Sequence, residues 1–556
     1  MEKIWLKQYP EGVPAEINVN EFASLRDFLE TSFAKYRSLP AFTNMGHSIS
    51  FGELDQMSRY LGAWLQKNAG LAKGDRVAVM MPNIIQYAVA VAAILRAGLT
   101  VTNVNPLYTP RELQHQLKDS GAKAIIIVEN FASTLEKVRN NTDIKTVVVT
   151  AIGDMLPVPK RHLVNFVIRK VKKMVPEWNI PDAVTFHKAL KEGKWQTLDT
   201  PELGHDDIAF LQYTGGTTGV AKGAVLTHRN IIANLLQARA WLSVTVTEGQ
   251  SVVITPLPLY HIFSLTANFF VFTLMGGNNI LITNPRDLPG FIKELNKHKF
   301  TFITGVNTLF NGLLHTPGFD QVDFSHLKVT LGGGMAVQRA VAERWKEVTG
   351  KPLIEAYGLT ETSPAACINP LTNTEFNGSI GVPISSTEVS IRDDEGKDIG
   401  IGAVGEICIR GPQVMAGYWN RPDETAKVML EGGWFRSGDM GRMDEQGYIY
   451  IEDRKKDMIL VSGFNVYPNE IEGVVVTHPA VLEAAAVGIP DEKSGEIVKL
   501  FVVCREGQSV TDKELIEFCR EGLTGYKVPR IIEFRKELPK TNVGKILRRE
   551  LRDGKA

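Results

Sequence analysis

The sequence is poor in cysteine and shows no excess of either charge. Four cysteines occur among 556 residues, and none of them forms a C-x-x-C pair, which argues against a zinc site and a disulfide framework. Reduced thiols in a cytoplasm fit this pattern best. Lysine plus arginine and aspartate plus glutamate number 62 each. Because no overall field would attract nucleic acid, we expect anions to be bound only at local sites.

Long hydrophobic runs are also missing. The N-terminus begins no apolar stretch of the kind found in signal peptides. The most apolar segment, residues 77–99, is interrupted by Pro82, Asn83, Gln86 and Arg96, and residues 269–275 are too few to span a bilayer. We interpret both segments as buried core and expect no transmembrane helix.

The signatures of several enzyme classes do not occur. There is no Walker loop, no G-x-S-x-G elbow and no H-E-x-x-H pair. Residues 400–405 match the G-x-G-x-x-G spacing of dinucleotide-binding proteins, but they lead into the strand-like run Glu-Ile-Cys-Ile. Since that fingerprint needs a helix N-terminus for the pyrophosphate, we interpret this segment as a loop rich in glycine.

Strand and helix patterns alternate in the first half of the chain and predict an α/β fold. Residues 76–81, 100–104, 124–128 and 146–150 are apolar strand-like runs, and helical patterns cover residues 84–97 and 111–120. This alternation, which recurs at 252–310, is typical of a parallel sheet covered by helices. Residues 388–452 predict a small antiparallel or barrel-like unit. About a hundred further residues of mixed α and β are enough for a small separate domain.

Residues 160–175 form a basic amphipathic segment. Leu163, Phe166, Val167, Val171 and Met174 fall near one helical face, and six lysines and arginines lie beside them. One interpretation is a surface helix with solvated lysines. The other is a peripheral contact with the anionic cytoplasmic face of a membrane.

The densest chemical signal is residues 213–223, Tyr-Thr-Gly-Gly-Thr-Thr-Gly-Val-Ala-Lys-Gly. The run follows a strand-like segment, and its glycines let backbone N–H groups approach phosphate oxygens. Threonine hydroxyls and one lysine add hydrogen bonds and positive charge. We predict a polyphosphate site formed by Thr214, Gly215, Gly216, Thr217, Thr218, Gly219 and Lys222.

Five motifs in this order resemble the acyl-adenylate-forming superfamily. They are residues 213–223, Tyr-Gly-Leu-Thr-Glu-Thr at 357–362, Ser-Gly-Asp at 437–439, Asp-Arg-Lys-Lys-Asp at 453–457 and Pro-Lys-Thr-Asn-Val-Gly-Lys at 539–545. Residues 103–113, 282–287 and 457–472 further resemble the bacterial long-chain fatty-acyl-CoA synthetases of fatty-acid degradation. The resemblance covers nearly the whole chain. It implies an ATP-dependent ligase that joins a fatty acid to coenzyme A through an acyl-adenylate.

The resemblance implies roles for the nucleotide site. Thr214 and Glu361 would hold Mg²⁺, a hard cation that takes oxygen ligands. Tyr357 would stack on adenine, and Asp439 would accept hydrogen bonds from the ribose. Further ATP-binding residues would be Gly333, Gly334, Gly358, Thr360, Arg454, Lys456 and Lys545.

The resemblance also implies four catalytic residues. Lys545 would bridge the carboxylate and the α-phosphate and stabilise charge in the transition state. Arg454 would reach the ribose or phosphate, and Glu361 would act through the metal. His261 resembles a residue beside the carboxylate, although a lone histidine in an apolar run is also typical of a packed core.

The resemblance also implies two domains that move. Residues 1–452 would form the N-terminal adenylation domain, residues 453–457 the hinge with Lys456 as pivot, and residues 458–556 a small mobile C-terminal domain of α+β type. A hinge is a short loop that absorbs backbone rotation. After rotation Ser462, Gly463 and Phe464 would line the coenzyme A tunnel.

The acyl chain requires a deep apolar tunnel. Candidate lining residues, which would equally fit the core, are Phe263, Leu265, Phe269, Phe270, Val306 and Leu309. Two positions depart from the family pattern. Arg436-Ser437 stands where relatives more often carry His-Thr, and Leu460 stands where some carry a second lysine, so chain-length preference and one nucleotide contact stay open.

Two other functions are alternatives to this ligase. The first is the same adenylation with another acid or acceptor, such as an aryl acid or a carrier-protein thiol. The second is a membrane-associated fatty-acid binding protein that retains a nucleotide site, against which the intact set of motif residues argues. A homodimer is implied by the family alone.

Overall fold

The computed structural model describes residues 2–214, 221–541 and 544–554. The strands in this part of the chain are β1 (Pro40–Asn44), β2 (His47–Ser50), β3 (Arg76–Met80), β4 (Thr100–Asn103), β5 (Ala124–Val128), β6 (Thr146–Thr150), β7 (Val184–Thr185), β8 (Ile208–Thr214), β9 (Lys222–Thr227), β10 (Val252–Thr255), β11 (Asn278–Leu281), β12 (Phe302–Gly305), β13 (Val329–Gly333), β14 (Leu353–Gly358), β15 (Ala365–Ile368), β16 (Val382–Pro383), β17 (Glu388–Arg392), β18 (Gly405–Arg410), β19 (Gly417–Tyr418), β20 (Met429–Leu430), β21 (Trp434–Met443), β22 (Ile449–Arg454), β23 (Ile459–Val461), β24 (Phe464–Val466), β25 (Val481–Asp491), β26 (Gly495–Cys504) and β27 (Ile531–Phe534).

The helices in the same ranges are α1 (Leu25–Lys35), α2 (Phe51–Lys67), α3 (Ile85–Arg96), α4 (Pro110–Ser120), α5 (Ala132–Glu136), α6 (Lys160–Phe166), α7 (Phe186–Gly193), α8 (His228–Leu242), α9 (Ile262–Ser264), α10 (Val271–Leu274), α11 (Leu288–Leu295), α12 (Asn307–Leu314), α13 (Arg339–Thr349), α14 (Pro422–Val428), α15 (Pro468–Val475), α16 (Asp512–Gly522) and α17 (Arg548–Arg552). A π-helical stretch, Leu265–Phe270, joins α9 to α10.

Two large sheets form the N-terminal part of the protein. One has nine strands in the order β16-β15-β14-β13-β12-β10-β11-β1-β2, and the other has eight in the order β19-β9-β8-β4-β3-β5-β6-β7. The central strands of both run parallel, and antiparallel pairs occur at the edges. The predicted parallel α/β architecture is therefore confirmed.

Two smaller sheets follow. Strands β17, β18, β21, β20 and β22 pair antiparallel, which is the barrel-like unit that the short β runs predicted. The C-terminal sheet contains β24, β23, β26, β25 and β27, covered by α15 and α16. The fold class is thus a large α/β N-terminal part with a half-barrel, followed by a separate α+β domain.

Helix α3 shows why the most apolar segment of the sequence lies in the core. All of its residues are buried, as expected for a helix that is apolar on every side. Its one charged residue, Arg96, is satisfied, because its guanidinium donates to Ser58 Oγ at 2.9 Å and lies 2.9 Å from Asp55 Oδ1. Among the described residues no helix is long and apolar enough to cross a membrane.

Local sequence signals set several helix ends. Helix α4 begins with a capping box in which Thr109 and Glu112 bond each other's backbone N–H groups, with Pro110 in the first turn. It ends at Gly121, which has a left-handed conformation (φ 59°). This helix and α3 lie within one or two residues of the ranges that the sequence predicted.

Candidate active site

The carboxyl ends of three strands carry predicted site residues. Thr214 ends β8, Gly333 ends β13 and Gly358 ends β14. Ligands of open α/β sheets bind outside the carboxyl ends of parallel strands. Gly215, Gly216, Thr217, Thr218 and Gly219 of the predicted phosphate loop lie outside the described residues.

Asp439, Tyr357 and Arg454 form one polar cluster. Asp439 on β21 is opposite Arg454 on β22 in the antiparallel register, and Arg454 Nε lies 3.4 Å from Asp439 Oδ1. Tyr357 at the end of β14 donates its hydroxyl hydrogen to Asp439 Oδ2 at 2.6 Å. Burial raises the pKa of Tyr357 well above its usual range, and Asp439 adds to this effect. The tyrosine is therefore a neutral donor, and its bond leaves Asp439 as an oriented carboxylate acceptor.

Gly333, the last residue of β13, and Gly334 after it line the cavity of the site. A β-carbon at Gly333 would lie 2.9 Å from the carbonyl oxygen of Ala356. Gly334 has φ +77°, and a β-carbon there would lie 3.7 Å from Cε of Lys545. This distance is an ordinary van der Waals contact, so it is the backbone conformation, which only glycine adopts without strain, that favours glycine at this turn beside Lys545.

Glu361 lies in the short turn Thr360–Thr362 after β14. Its Oε1 accepts a hydrogen bond from the hydroxyl of Tyr418 at 2.7 Å. The described residues contain no group of three or more His, Cys, Asp or Glu side chains that could hold a metal ion. One carboxylate with the hydroxyl of Thr214, which ends β8, nevertheless fits Mg²⁺, because this ion keeps water and substrate phosphate among its ligands.

Lys222 contacts two residues that lie outside the sequence motifs. Its ammonium lies 2.7 Å from Glu424 Oε2 and 4.5 Å from the ring centre of Tyr418. Tyr418 and Glu424 lie about two hundred residues further along the chain, on β19 and α14. No motif spacing links such distant positions, so only the folded chain reveals these contacts.

Lys545 lies inside the site. It lines one cavity together with His261, Gly334, Tyr357 and Thr360. Burial lowers the pKa of Lys545 to about 8, and Arg454 acts in the same direction. The Lys545 N–H donates to Thr541 Oγ1 at 3.1 Å, and the Thr541 N–H donates to the Lys545 carbonyl at 2.7 Å. The C-terminal domain therefore delivers a cation with a depressed pKa to the strand ends of the N-terminal part.

His261 caps helix α9. Its Nδ1 accepts a hydrogen bond from the Phe263 N–H at 3.3 Å, which assigns the proton of the neutral ring to Nε2. Burial lowers the pKa of His261 to about 3, and the charge of Lys545 contributes. The ring is therefore neutral at physiological pH, and its Nε2–H is a hydrogen-bond donor.

The cavity continues from Lys545 between α8 and the helix that begins at Ile262. Its apolar wall includes Ala238, Trp241, Phe263, Ala267 and Leu371.

Of the six residues proposed from sequence as tunnel lining, Phe263 lies on this wall. The alternative interpretation, core packing, holds for Phe269 and Phe270, which stack on each other at 4.9 Å, and for the buried Leu265. Val306 is also buried, and Leu309 packs against the core. Helical periodicity explains the difference, because Thr266, Ala267 and Val271 face the cavity and the intervening residues face away.

The predicted hinge, residues 453–457, begins in the last two residues of β22. Asp453 is buried, and its carboxylate accepts a hydrogen bond from the Asn469 N–H at 2.8 Å and lies 3.3 Å from Arg548 Nη1. Arg548 also lies 2.8 Å from Glu472 Oε2. Burial raises the pKa of Asp453 to about 6. The first residue of the predicted hinge is thus bound by Asn469 and Arg548 of the C-terminal domain, whereas Lys456 is exposed.

The predicted coenzyme A residues lie at the tip of a hairpin. Ser462 (φ 50°) and Gly463 (φ 83°) form the two-residue turn between β23 and β24. Phe464 is exposed and stacks on Tyr526 at 4.7 Å. None of these three residues is among the described residues that line the cavity. Leu460, the position of the missing second lysine, is 48% exposed on the same hairpin.

Relatives of known activity match the chain over its full length. It is 57% identical over 553 residues to the long-chain-fatty-acid–CoA ligase of Escherichia coli O157:H7, an alignment that covers 100% of this chain and 98% of the relative. The corresponding ligases of Haemophilus influenzae and Bacillus subtilis are 53% and 40% identical over 100% and 99% of this chain, and 98% of each relative is covered.

Solved structures share the fold. ATP-bound MatB from Rhodopseudomonas palustris has a TM-score of 0.81 at 26% identity and covers 95% of this chain and 98% of its own. An anthranilate CoA ligase in complex with anthranoyl-AMP has a TM-score of 0.85 at 24% identity, with 97% and 99% coverage.

Two family descriptions match the chain. The AMP-binding enzyme family covers residues 29–419, and the AMP-binding enzyme C-terminal domain covers residues 470–545. Because these matches contain the motifs at 213–223 and 357–362 and end at Lys545, the chain belongs to the acyl-adenylate-forming family of AMP-binding enzymes.

Proposed function

We propose that this protein activates long-chain fatty acids with ATP and transfers them to coenzyme A. It is an AMP-forming long-chain-fatty-acid–CoA ligase, and its full-length relatives are named long-chain-fatty-acid–CoA ligases. The observation that carries the proposal is the cavity in which an apolar wall meets Lys545 and His261. An apolar chain would lie along the wall with its carboxylate at the cation.

The first step is adenylation. A fatty-acid carboxylate oxygen attacks the α-phosphorus of ATP, the bond to the β-phosphate oxygen breaks, and pyrophosphate leaves with the electron pair. Lys545 neutralises both anions as they meet, and Arg454 adds charge beside the ribose. Asp439 accepts from the ribose hydroxyls, while Tyr357 and the strand end at Gly333 and Gly334 face the base. Phosphates bind to the 213–223 loop.

The metal proposal concerns Thr214 and Glu361. A bound Mg²⁺ would neutralise phosphate charge as pyrophosphate leaves. Glu361 supplies a carboxylate, one oxygen of which accepts a hydrogen bond from the hydroxyl of Tyr418 at 2.7 Å. Thr214 supplies a neutral oxygen from the end of β8.

The second step is thioester formation. The thiolate of coenzyme A attacks the acyl carbon and AMP leaves. Lys545 occupies the cavity, so we propose that residues 458–556 rotate about Lys456 within the 453–457 hinge, relative to residues 1–452. The exposed hairpin of Ser462, Gly463 and Phe464 would then line the pantetheine path. Its present position at the surface leaves it free to form that contact.

The test is a panel of acids from acetate to oleate, assayed with ATP and Mg²⁺ with and without coenzyme A. We expect thioester and AMP in equal amounts and a maximum at long chains. Adenylate formation with no response to coenzyme A would assign another acceptor to the enzyme. Maximal activity with aryl acids would show that the substrate is not a fatty acid. Binding of fatty acids without release of pyrophosphate would show that the protein binds fatty acids but does not activate them.

A membrane contact through residues 160–175 is a separate proposal. The sequence predicted a single helix over this segment, and the structure has α6 followed by a π-helical turn, Val167–Val171. Leu163, Phe166, Val171 and Met174 are each more than half exposed. Exposed lysines at 170, 172 and 173 lie beside them. Apolar side chains next to lysines fit an anionic bilayer surface.

Flotation with vesicles of anionic or zwitterionic lipid tests this surface. We expect binding to anionic vesicles that is lost on charge reversal of Lys172 and Lys173 and kept on charge reversal of Lys297 and Lys299, which are exposed elsewhere. Equal binding by both double variants would contradict the proposal. The homodimer stays a prediction from the family, and sedimentation velocity tests it.

A further inference from the structure

Tyr418 connects two predicted site residues that are far apart in the sequence. It lies on β19, which pairs with β9 at the edge of the eight-stranded sheet. Its hydroxyl donates to Glu361 Oε1 at 2.7 Å, and the Lys222 ammonium lies 4.5 Å from its ring centre. A single side chain therefore contacts both the predicted metal ligand and the predicted phosphate-binding lysine.

The tyrosine is itself held rigidly. It is 9% exposed, and its N–H donates to Thr425 Oγ1 at 2.9 Å. The Met415 N–H donates to the Glu361 carbonyl at 2.7 Å, so the segment before β19 also fixes the backbone of the turn that carries Glu361. Burial, with Glu361 beside it, raises the pKa of Tyr418 above its usual range. The hydroxyl is therefore a constant donor at every pH of interest.

We propose that Tyr418 is a positioning residue, which orients the Glu361 carboxylate toward the metal and keeps Lys222 beside the phosphates. The inference rests on the proposed function, because Glu361 is a ligand only if the site binds metal and nucleotide. Groups that hydrogen-bond a metal-ligating side chain orient it, and their loss weakens metal binding. Without the hydroxyl, Oε1 of Glu361 would lose the partner that fixes its rotation.

The experiment is a calorimetric titration of Mg²⁺ into the protein with a non-hydrolysable ATP analogue. Tyr418→Phe keeps the ring under Lys222 and removes only the hydroxyl. We expect Mg²⁺ to bind about tenfold more weakly, with a matching rise in the Mg²⁺ concentration for half-maximal pyrophosphate release and no change in KM for the fatty acid.

The matched control is Tyr36→Phe. Tyr36 also donates to a carboxylate, Glu248 Oε2 at 2.8 Å, but it lies at the end of α1 outside the cavity. We expect this variant to bind Mg²⁺ as the wild type does. Thermal unfolding of both variants shows whether a loss arises from the site or from the fold.

A double-mutant cycle with Glu361→Gln separates positioning from indirect effects. Residues that act through one another are non-additive, so Tyr418→Phe should weaken Mg²⁺ binding little further once Glu361 is replaced. Additive losses, or an unchanged affinity in Tyr418→Phe, would overturn the inference. A wild type that binds no Mg²⁺ with the analogue would instead contradict the proposed function.

Discussion

Asp439 and Arg454 face each other in register across β21 and β22, with Arg454 Nε 3.4 Å from Asp439 Oδ1. The pair is completed by Tyr357, whose hydroxyl donates to the other carboxylate oxygen. One carboxylate is thus oriented by a neighbouring strand on one side and by the end of a parallel strand on the other. Such a group is prepared to accept hydrogen bonds from a diol.

Replacing Asp439 by Asn tests this arrangement. The amide oxygen still accepts from Tyr357, but the negative charge beside Arg454 and the ribose is lost. Hydrogen bonds to charged groups contribute about 1.5–3 kcal/mol, so we expect kcat/KM for ATP to fall roughly 10- to 100-fold. Asp394→Asn, which removes an exposed carboxylate paired with Lys455, is the control. Equal losses in the two variants would contradict the assigned role.

The depressed pKa of Lys545 predicts a pH dependence. Because the ammonium form stabilises the two reacting anions, kcat/KM for pyrophosphate exchange should be constant at low pH and fall as the pH rises through about 8. Lys545→Arg keeps its charge at all these pH values, so its lower activity should show no such decline. A decline at the same pH in this variant would assign it to another group. Since the pKa of His261 is about 3, its titration should not appear.

The apolar wall predicts which substitutions change chain length. Ala238 lines the cavity on α8, whereas Ala240 lies on the other side of this helix and is not among the described lining residues. Ala238→Phe should lower activity on oleate at least tenfold and leave activity on octanoate within about twofold, because filling the wall shortens the space for the chain. Competition between the two acids measures this, and Ala240→Phe should retain the wild-type preference.

The Arg548 cluster predicts a large effect on stability. Removing one partner of a buried ion pair leaves uncompensated charge and costs roughly 3–5 kcal/mol. Arg548→Ala should therefore lower the free energy of unfolding of the C-terminal domain by about that amount, as measured by denaturant unfolding. Arg520→Ala, at an exposed pair, should change it little.

The same variant has a predictable response to pH. The pKa of Asp453 in the folded protein is raised to about 6, so its ionisation opposes folding above that pH. Arg548 holds this pKa down, so Arg548→Ala raises it further, and the destabilisation should be greatest at high pH and shrink as the pH falls toward about 6 and Asp453 takes up a proton. An effect independent of pH would show that Asp453 does not contribute to it.

The sequence predicted the elements better than the contacts between them. Strands β5 and β6 have the predicted bounds because short apolar runs between turns leave little choice. The contact between Tyr418 and Glu361 could not be predicted, since β19 has only two residues and its place depends on pairing with β9. The predicted lining of the acyl-chain cavity was partly wrong, because the sequence of a helix that is apolar on all sides does not show which side faces a cavity. Lys545 was predicted from the family resemblance alone, because no local sequence pattern distinguishes it from an ordinary surface lysine.

The most direct test of the account is Lys545→Ala in the two half-reactions. Pyrophosphate exchange with ATP and palmitate reports adenylation, and thioester formation from palmitoyl-adenylate and coenzyme A reports the second step. We predict that exchange falls by at least a hundredfold while thioester formation stays within a few-fold of the wild type. Retention of exchange, or equal loss of both half-reactions, would contradict the role of Lys545 as the cation of the adenylation step.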